Sequence, residues 1–159
     1  MSKATIDAAL SAGERILLDT TTLISYLNKG EPVSPIAAHV IDDLVRSGRN
    51  QAIVSTITAM EILVRPLRQG TSEPYQHIMD FLSNFPNLRL LNIDLYVAQE
   101  AASLRATYNF PPPDALIIAS GILAQVGHLV TNDDEWRKKV GPISDRISVC
   151  HLEDHLPFS

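Results

Sequence analysis

Five acidic residues of this sequence follow short apolar runs or open the segment that comes next, and their type and spacing suit one kind of chemistry. They are Asp19, Glu61, Asp114, Asp133 and Asp134. Carboxylate oxygens are the ligands that Mg²⁺ and Mn²⁺ prefer in proteins. Gathering like charges in one place is costly unless a cation lies among them. If the fold brings these acids together, they are typical of a site for a hard divalent cation.

The elements that must position the acids alternate along the chain. Short apolar runs predict strands over residues 16–18, 52–54, 88–93, 128–131 and 146–150. Helical spacing with proline and glycine signals predicts helices over 23–27, 35–48, 58–66, 75–85, 95–108, 114–126 and 135–140. This alternation indicates a three-layer α/β/α fold with a mainly parallel central sheet. The acids then lie at the carboxyl edge of the sheet, where such folds bind ligands.

Length and composition indicate one domain, residues 1–159, with an N-terminal extension over 1–14 and a C-terminal tail over 151–159. The hydrophobic fraction of 45% and mean hydropathy of +0.06 are ordinary for a globular protein. The single cysteine, Cys150, excludes an intrachain disulfide and favours a reducing cytosol. We find no signal peptide and no apolar run of the ~20 residues that a membrane span needs, so we expect a soluble, cytoplasmic protein.

The formal charge of −5 argues against a broad basic face for nucleic acid. That objection weakens if several carboxylates are neutralised by a bound metal. Arginines that could contact phosphates are Arg46, Arg49, Arg65, Arg68, Arg105 and Arg137. The alternative for each is a solvated helix face.

Each acid also has a structural alternative. Asp19 could cap a helix, and Glu61 could form a capping box with Thr58. Asp114 could simply begin a helix, and the last two acids could be solvated turn residues. Helix caps need only a short polar oxygen, however, so Ser or Asn would serve equally well. Carboxylates at successive strand ends favour the metal site.

Four segments resemble, in order, the successive motifs of PIN domains: LLDTTTLI at 17–24, STITAMEI at 55–62, PDALIIA at 113–119 and LVTND at 129–133. The resemblance covers roughly residues 15–149. The size, without an appended domain, looks most like the VapC-type toxins of toxin–antitoxin pairs. This resemblance implies a compact α/β/α fold, an Mg²⁺- or Mn²⁺-dependent endoribonuclease acting on RNA, a homodimer, and a separate antitoxin protein that blocks the site.

Carried over residue by residue, the resemblance assigns Asp19, Glu61 and Asp114 as catalytic metal ligands. The fourth acid matches Asp133, although Asp134 beside it could share or take that role. A metal held by Asp19 and Asp114 would activate water and polarise a phosphate oxygen, with one or two ions acting. The hydroxyls of Thr20 and Thr131 would orient carboxylates or waters. Neither the RNA target nor the choice between Mg²⁺ and Mn²⁺ follows from the sequence.

Two other functions compete with this one. A PIN-like module could bind RNA or protein without cleaving, but all four acidic positions are filled. A phosphatase could use Asp19 as its nucleophile. Such sites usually need a nearby lysine, and the strand-end motifs contain none: Lys29, Lys138 and Lys139 lie elsewhere in the sequence pattern.

Other residues suggest packing more than chemistry. Trp136 and Cys150 are interpreted as core residues, and a zinc site on His151 and His155 is a minor alternative. For protein contacts we expect the apolar faces of two helices, those that start at Pro35 and at Pro74.

Overall fold

The computed structural model describes residues 2–158 and contains one five-stranded sheet in the order β3-β2-β1-β4-β5. The strands are β1 Arg15–Leu18, β2 Gln51–Ser55, β3 Leu88–Leu91, β4 His128–Thr131 and β5 Ser148–His151. All four strand pairings are parallel. On the central strand β1, Leu17 is in register with Ile53 of β2 and with Leu129 of β4. All strands therefore end at the same edge of the sheet.

Helices cover both faces of this sheet, which confirms the predicted α/β/α architecture. They are α1 Ser2–Ala9, α2 Thr20–Asn28, α3 Ser34–Ala38, α4 Thr56–Gln69, α5 Ser72–Asn84, α6 Leu95–Tyr108, α7 Pro112–Leu123 and α8 Glu135–Val140. A π-helical segment, His39–Val45, continues α3, and 3₁₀ turns cover Gly141–Ile143 and Leu152–His155. In the part of the chain that the structure describes, no helix has the length and apolar character of a membrane span.

Alternating side chains of β1 divide the core into two clusters. Ile16 and Leu18 pack into the cluster that includes the helices α2 and α3, whereas Leu17 packs into the cluster formed with α6 and α7. All three side chains are fully buried. Successive residues of a strand point to opposite faces of the sheet, and burial of each such side chain contributes about 1.5–3 kcal/mol. The short apolar run thus anchors both helical layers and fixes the position of Asp19, which follows it.

Several element boundaries differ from the predicted ones for identifiable reasons. Helix α2 starts at Thr20, three residues earlier than expected, because the Asp19 side chain caps it. Helix α4 starts at Thr56 and continues past Pro66 to Gln69. It ends at Gly70, whose φ of 68° is the left-handed conformation common after helices. A proline therefore does not end this helix, contrary to our expectation.

The segment before β1 contains a helix that was not predicted. Two side chains, Ile6 and Leu10, are fully buried in the core. The Arg49 guanidinium donates to the carbonyls of Leu10 (2.7 Å) and Asp7 (2.9 Å), which are free acceptors at the helix end. Buried Asn50 donates to two carbonyls of the loop before β1, at 2.8 and 2.9 Å. The segment that looked like an extension is thus packed against the domain.

The predicted contact face on the helix that starts at Pro35 was wrong for this chain. Ile36, Val40 and Ile41 are fully buried in the domain's own core, so they form no surface. On α5, Phe81 and Leu82 are likewise buried, but Ile78 and Met79 are half-buried, so the contact face on that helix stays a prediction. These helices need their apolar faces to cover the sheet.

Candidate active site

Asp19 occupies the end of the central strand and is buried, with 2% of its surface exposed. Its Oδ1 accepts a hydrogen bond from the Thr22 backbone N–H at 3.0 Å, which caps helix α2. The same oxygen accepts from the Thr21 hydroxyl at 2.8 Å, and Oδ2 accepts from the Thr131 hydroxyl at 2.5 Å. Asp19 therefore caps α2 and also accepts hydroxyl donors that a helix cap does not need, so capping alone does not account for its position.

Burial raises the pKa of Asp19 above its usual value of 3.8, although the hydrogen bonds from Thr131, Thr22 and Thr21 oppose that shift. Burial disfavours the charged form because the carboxylate loses its hydration. The three donors favour the ionised form because they interact best with a negative oxygen. A buried carboxylate in this balance is suited to bind a cation, which would remove the cost of its charge.

Thr131 and Thr21 join the ends of β4 and β1. The Thr131 hydroxyl, fully buried, accepts from the Asp133 N–H at 3.0 Å and lies 3.2 Å from the Thr21 hydroxyl oxygen. The Thr21 hydroxyl in turn accepts from the Asn132 N–H at 2.8 Å. Thr131 was predicted as a supporting residue, whereas Thr21 was missed. Its position in the run of three threonines after Asp19 gave no reason to prefer it over Thr20.

Glu61 lies beside this network and is held by the residue that follows Asp19: the Thr20 hydroxyl donates to Glu61 Oε1 at 2.9 Å. The alternative capping box with Thr58 is wrong, because α4 starts two residues earlier, at Thr56. The cap is Ser55, whose hydroxyl accepts from the Ile57 N–H. Glu61 therefore does not cap the helix. It lies exposed on the second turn of α4, beside the start of α2.

Asp114 sits in the first turn of α7 and has a partner that the sequence did not suggest. Lys139 Nζ lies 2.7 Å from Asp114 Oδ2. The same ammonium lies 5.0 Å from the ring centroid of Trp136, a buried core residue as predicted. Lys139 lies outside the strand-end motifs of the sequence, and the fold brings it to Asp114. The short helix α8 after β4 brings its last turn back to the N-terminus of α7.

The two neighbouring acids after β4 diverge. The Asp133 backbone is tied to Thr131, and its Oδ1 accepts from the Glu135 N–H at 3.0 Å, at the start of α8. Asp134 is exposed, and its Oδ1 lies 3.0 Å from Nε2 of buried His151 on the edge strand β5. The contact lacks hydrogen-bond geometry, since both His151 nitrogens are without a hydrogen-bond partner. Asp134 thus faces away from β1, whereas Asp133 is linked to Asp19 through one hydroxyl.

The donor set fits a hard cation in chemistry, because every candidate ligand is a carboxylate or hydroxyl oxygen. Hydrogen bonds connect Asp19 through Thr131 with the Asp133 backbone, and Thr20, the residue after Asp19, donates to Glu61. Asp114 has the Lys139 ammonium as its cation. Within residues 2–158, no three acidic, histidine or cysteine side chains are grouped as a metal site.

A cavity of about 320 Å³ opens beside Glu61, between α2, α4 and α5. Its walls include Ile24 and Ile62, and Arg65 and His77 contribute polar groups. Of the predicted phosphate-binding arginines, Arg65 thus lies next to a candidate catalytic acid. Four others have partners elsewhere. Arg49 donates to carbonyls at the end of α1, Arg105 donates to the Phe110 carbonyl, and Arg137 pairs with Asp154. Arg46 pairs with Asp42 and lies over Phe85.

Cys150 is a core residue, as predicted. Burial raises the pKa of its thiol to about 12, so the reactive thiolate is scarce at neutral pH. Its sulfur lies 3.8 Å from His155 Nε2, and burial lowers the pKa of that imidazole. These groups have no part in the acidic site.

Known proteins share this architecture. A model of the PIN domain family matches residues 16–141. A toxin–antitoxin complex from Klebsiella pneumoniae has a chain 26% identical to this one, with a TM-score of 0.63 over 86% of this chain and 97% of that chain. VapBC2 from Rickettsia felis, bound to a DNA fragment from its promoter, is 19% identical, with a TM-score of 0.65 over 86% and 98%. VapC20 from Mycobacterium tuberculosis, described as a sarcin-ricin loop cleaving toxin, is 13% identical, with a TM-score of 0.62 over 77% and 93%. A comparison of this sequence with curated proteins found no match.

Proposed function

This chain belongs to the PIN domain family, and from that premise we propose that it is a divalent-metal-dependent endoribonuclease and the toxin of a toxin–antitoxin pair. One observation carries the proposal. The carboxylate of Asp19 is buried at the end of the central strand, yet hydroxyl and amide donors stabilise its charged form. A buried carboxylate does not stabilise the fold when no cation pairs with it. The burial of Asp19 therefore favours a role in cation binding.

Asp19 and Asp114 would hold the cation, with Glu61 and Asp133 completing the set directly or through water. When bound, a divalent cation polarises a phosphate oxygen and lowers the pKa of a coordinated water. The protein's own contribution is positioning. Thr131 and Thr21 fix both oxygens of Asp19, and Thr20 orients Glu61. Mg²⁺ is the expected ion, with Mn²⁺ as its substitute, and we expect 5′-phosphate and 3′-hydroxyl products.

Arg65 is our candidate for contact with RNA phosphates. It lies one helical turn after Glu61 on α4, and both side chains line the same cavity. A guanidinium matches the geometry of phosphate oxygens and stays charged at any working pH. A cation beside an acidic site allows RNA to approach a chain whose net charge is −5.

A cognate antitoxin and a homodimer are the partners that we propose. The similar solved structures include toxin–antitoxin complexes, which supports the antitoxin. The competing phosphatase mechanism is disfavoured, because both oxygens of Asp19 accept hydrogen bonds and the group is buried. Its missing lysine is not supplied by Lys139, which contacts Asp114 instead.

The test is cleavage of a structured RNA of mixed sequence by the purified, antitoxin-free chain with Mg²⁺, with Mn²⁺ and with EDTA. Asp114→Asn removes one proposed ligand and should abolish cleavage. Asp94→Asn is the matched control, because Asp94 only caps α6 through the Val97 N–H, a duty that asparagine also performs. Cleavage that persists in EDTA, or in Asp114→Asn, would reject the metal mechanism. Folded protein that cleaves none of several RNAs would favour the non-cleaving binding module.

A further inference from the structure

Lys139 is a cation that the chain itself places on a proposed metal ligand. We propose that its ammonium competes with the divalent cation for Asp114, neutralising that carboxylate when no metal is bound and leaving it when metal binds. The inference rests on the proposed function, because it presumes that Asp114 is a metal ligand. Lys139 would thereby raise the concentration of divalent cation at which the site is half occupied.

The position of Lys139 is defined by two contacts. Its Nζ lies 2.7 Å from Asp114 Oδ2 and 5.0 Å from the centroid of the Trp136 ring. Trp136 is buried, so the indole is a fixed surface for the ammonium and favours it by cation–π attraction. The side chains of Lys139 and Asp114 are 27% and 20% exposed, so water screens their pairing only in part.

The neighbouring basic residues of α8 show that this contact is particular to Lys139. Arg137 pairs with Asp154 at 2.5 Å, beyond β5. Lys138 is 80% exposed and reaches only Glu135 of its own helix, at 3.8 Å. Lys138 is therefore a matched control, since it has the same side chain and adjoins Lys139 but does not contact the acidic set.

Competition follows from charge. An ammonium and a divalent cation on one carboxylate would lie a few ångströms apart and repel each other in a partly buried setting. Asp114 also lies at the N-terminus of α7, where the helix dipole already favours a carboxylate. The ammonium is thus not the sole group that stabilises the Asp114 carboxylate. A lysine that merely oriented Asp114 would have the opposite effect, because its loss would loosen the ligand and weaken metal binding.

The experiment measures Mn²⁺ binding directly, by electron paramagnetic resonance of free Mn²⁺ during titration of the antitoxin-free full chain. In Lys139→Met, which keeps the aliphatic stem, we expect the Kd for Mn²⁺ to fall about fivefold or more. Lys139→Arg retains the charge and should bind like the unmodified chain, as should Lys138→Met. The rise in Tm caused by a fixed Mn²⁺ concentration should be larger in Lys139→Met, since it grows with affinity. The Tm of each metal-free variant also shows that it folds.

The outcomes separate this inference from the proposed function. A Kd that changes less than about threefold in Lys139→Met, or that rises, overturns the competition and leaves the metal site standing. Binding that tightens equally in Lys138→Met also overturns it, because the cause would be net charge. If neither the unmodified chain nor Lys139→Met binds Mn²⁺, the proposed function fails and the inference with it. Tightening that disappears in an Asp114→Asn background confirms that the competition acts at Asp114.

Discussion

Replacing Thr131 with valine removes one hydroxyl from the centre of the candidate site and leaves the shape of the side chain nearly unchanged. The hydroxyl is fully buried, donates to Asp19 Oδ2 at 2.5 Å and accepts from the Asp133 N–H at 3.0 Å. A hydrogen bond to a charged group contributes about 1.5–3 kcal/mol and one between neutral groups about 1 kcal/mol. Because the extra methyl group offsets part of the loss, we expect Thr131→Val to lower the free energy of unfolding by about 2–3 kcal/mol at pH 7.5.

The cost of this substitution should depend on pH. Burial raises the pKa of Asp19 and the Thr131 hydroxyl lowers it, so its loss raises the folded-state pKa further. Ionised Asp19 is therefore more costly in the variant at every pH above that folded-state pKa. Below the unfolded value of about 3.9, the group is protonated in both states and this extra cost is absent. The destabilisation should thus shrink as the pH falls from 7.5 towards 4.

The assay is urea unfolding of the metal-free protein, followed by the fluorescence of Trp136, the single tryptophan. In an Asp19→Asn background the charge is gone, so Thr131→Val should cost only about 1 kcal/mol. The control is Thr58→Val, because the Thr58 hydroxyl is buried without a hydrogen-bond partner and its loss should be neutral or stabilising. A cost that is equal at pH 7.5 and pH 4, and equal with and without the Asp19 charge, would refute the reasoning.

Three further outcomes follow from contacts at and around the site. Asp19→Asn should raise the free energy of unfolding at neutral pH by about 0.5–2 kcal/mol, because it removes a charge that is costly to bury, as the raised pKa of Asp19 indicates. This gain in stability should vanish as the pH falls below about 4, where the carboxyl is protonated in both the folded and the unfolded state. The same substitution should abolish cleavage. Gly121→Ala should lower the free energy of unfolding by about 1–2 kcal/mol, since its Cβ would lie 2.8 Å from Cδ2 of buried Leu17, and overpacking outweighs the better helix propensity of alanine; an unchanged urea midpoint would contradict this. Arg65→Gln should raise the KM for RNA about tenfold and leave Mn²⁺ binding unchanged, whereas Arg68→Gln on the same helix should change neither the KM nor the binding of Mn²⁺.

The elements predicted most accurately from the sequence are those whose local start and stop signals agree. Strand β4, helix α6 and helix α8 have the predicted bounds, His128–Thr131, Leu95–Tyr108 and Glu135–Val140. Each has a clear start signal or a proline or turn beside it. In contrast, α1 and the residue after it contain only Ile6 and Leu10 as large apolar side chains, which is too little for a periodic signal. Its stability comes from packing and from Arg49, which lies far along the chain.

The positions of Asp19 and Asp133 beyond the ends of β1 and β4 could be predicted from the sequence, because parallel strands end at one edge of a sheet. The partners of the acidic residues could not be predicted. That Asp114 pairs with Lys139, and that Asp134 faces His151, depends on the direction in which α8 leaves β4. The direction is set by burial of Trp136 under that helix, which is a tertiary property. The hydrophobic periodicity of the sequence carries no information on the direction in which α8 leaves β4.

The bond between Thr131 and Asp19 joins residues 112 positions apart, and β1 pairs with β4 across the same interval. Closing so long a loop is entropically costly and delays the contacts that depend on it. During synthesis, Asp19 leaves the ribosome 112 residues before its donor Thr131, and Lys139 follows later still. If the chain cuts RNA as proposed, it would therefore remain inactive during synthesis until the strand carrying Thr131 docks, because the candidate site closes only then.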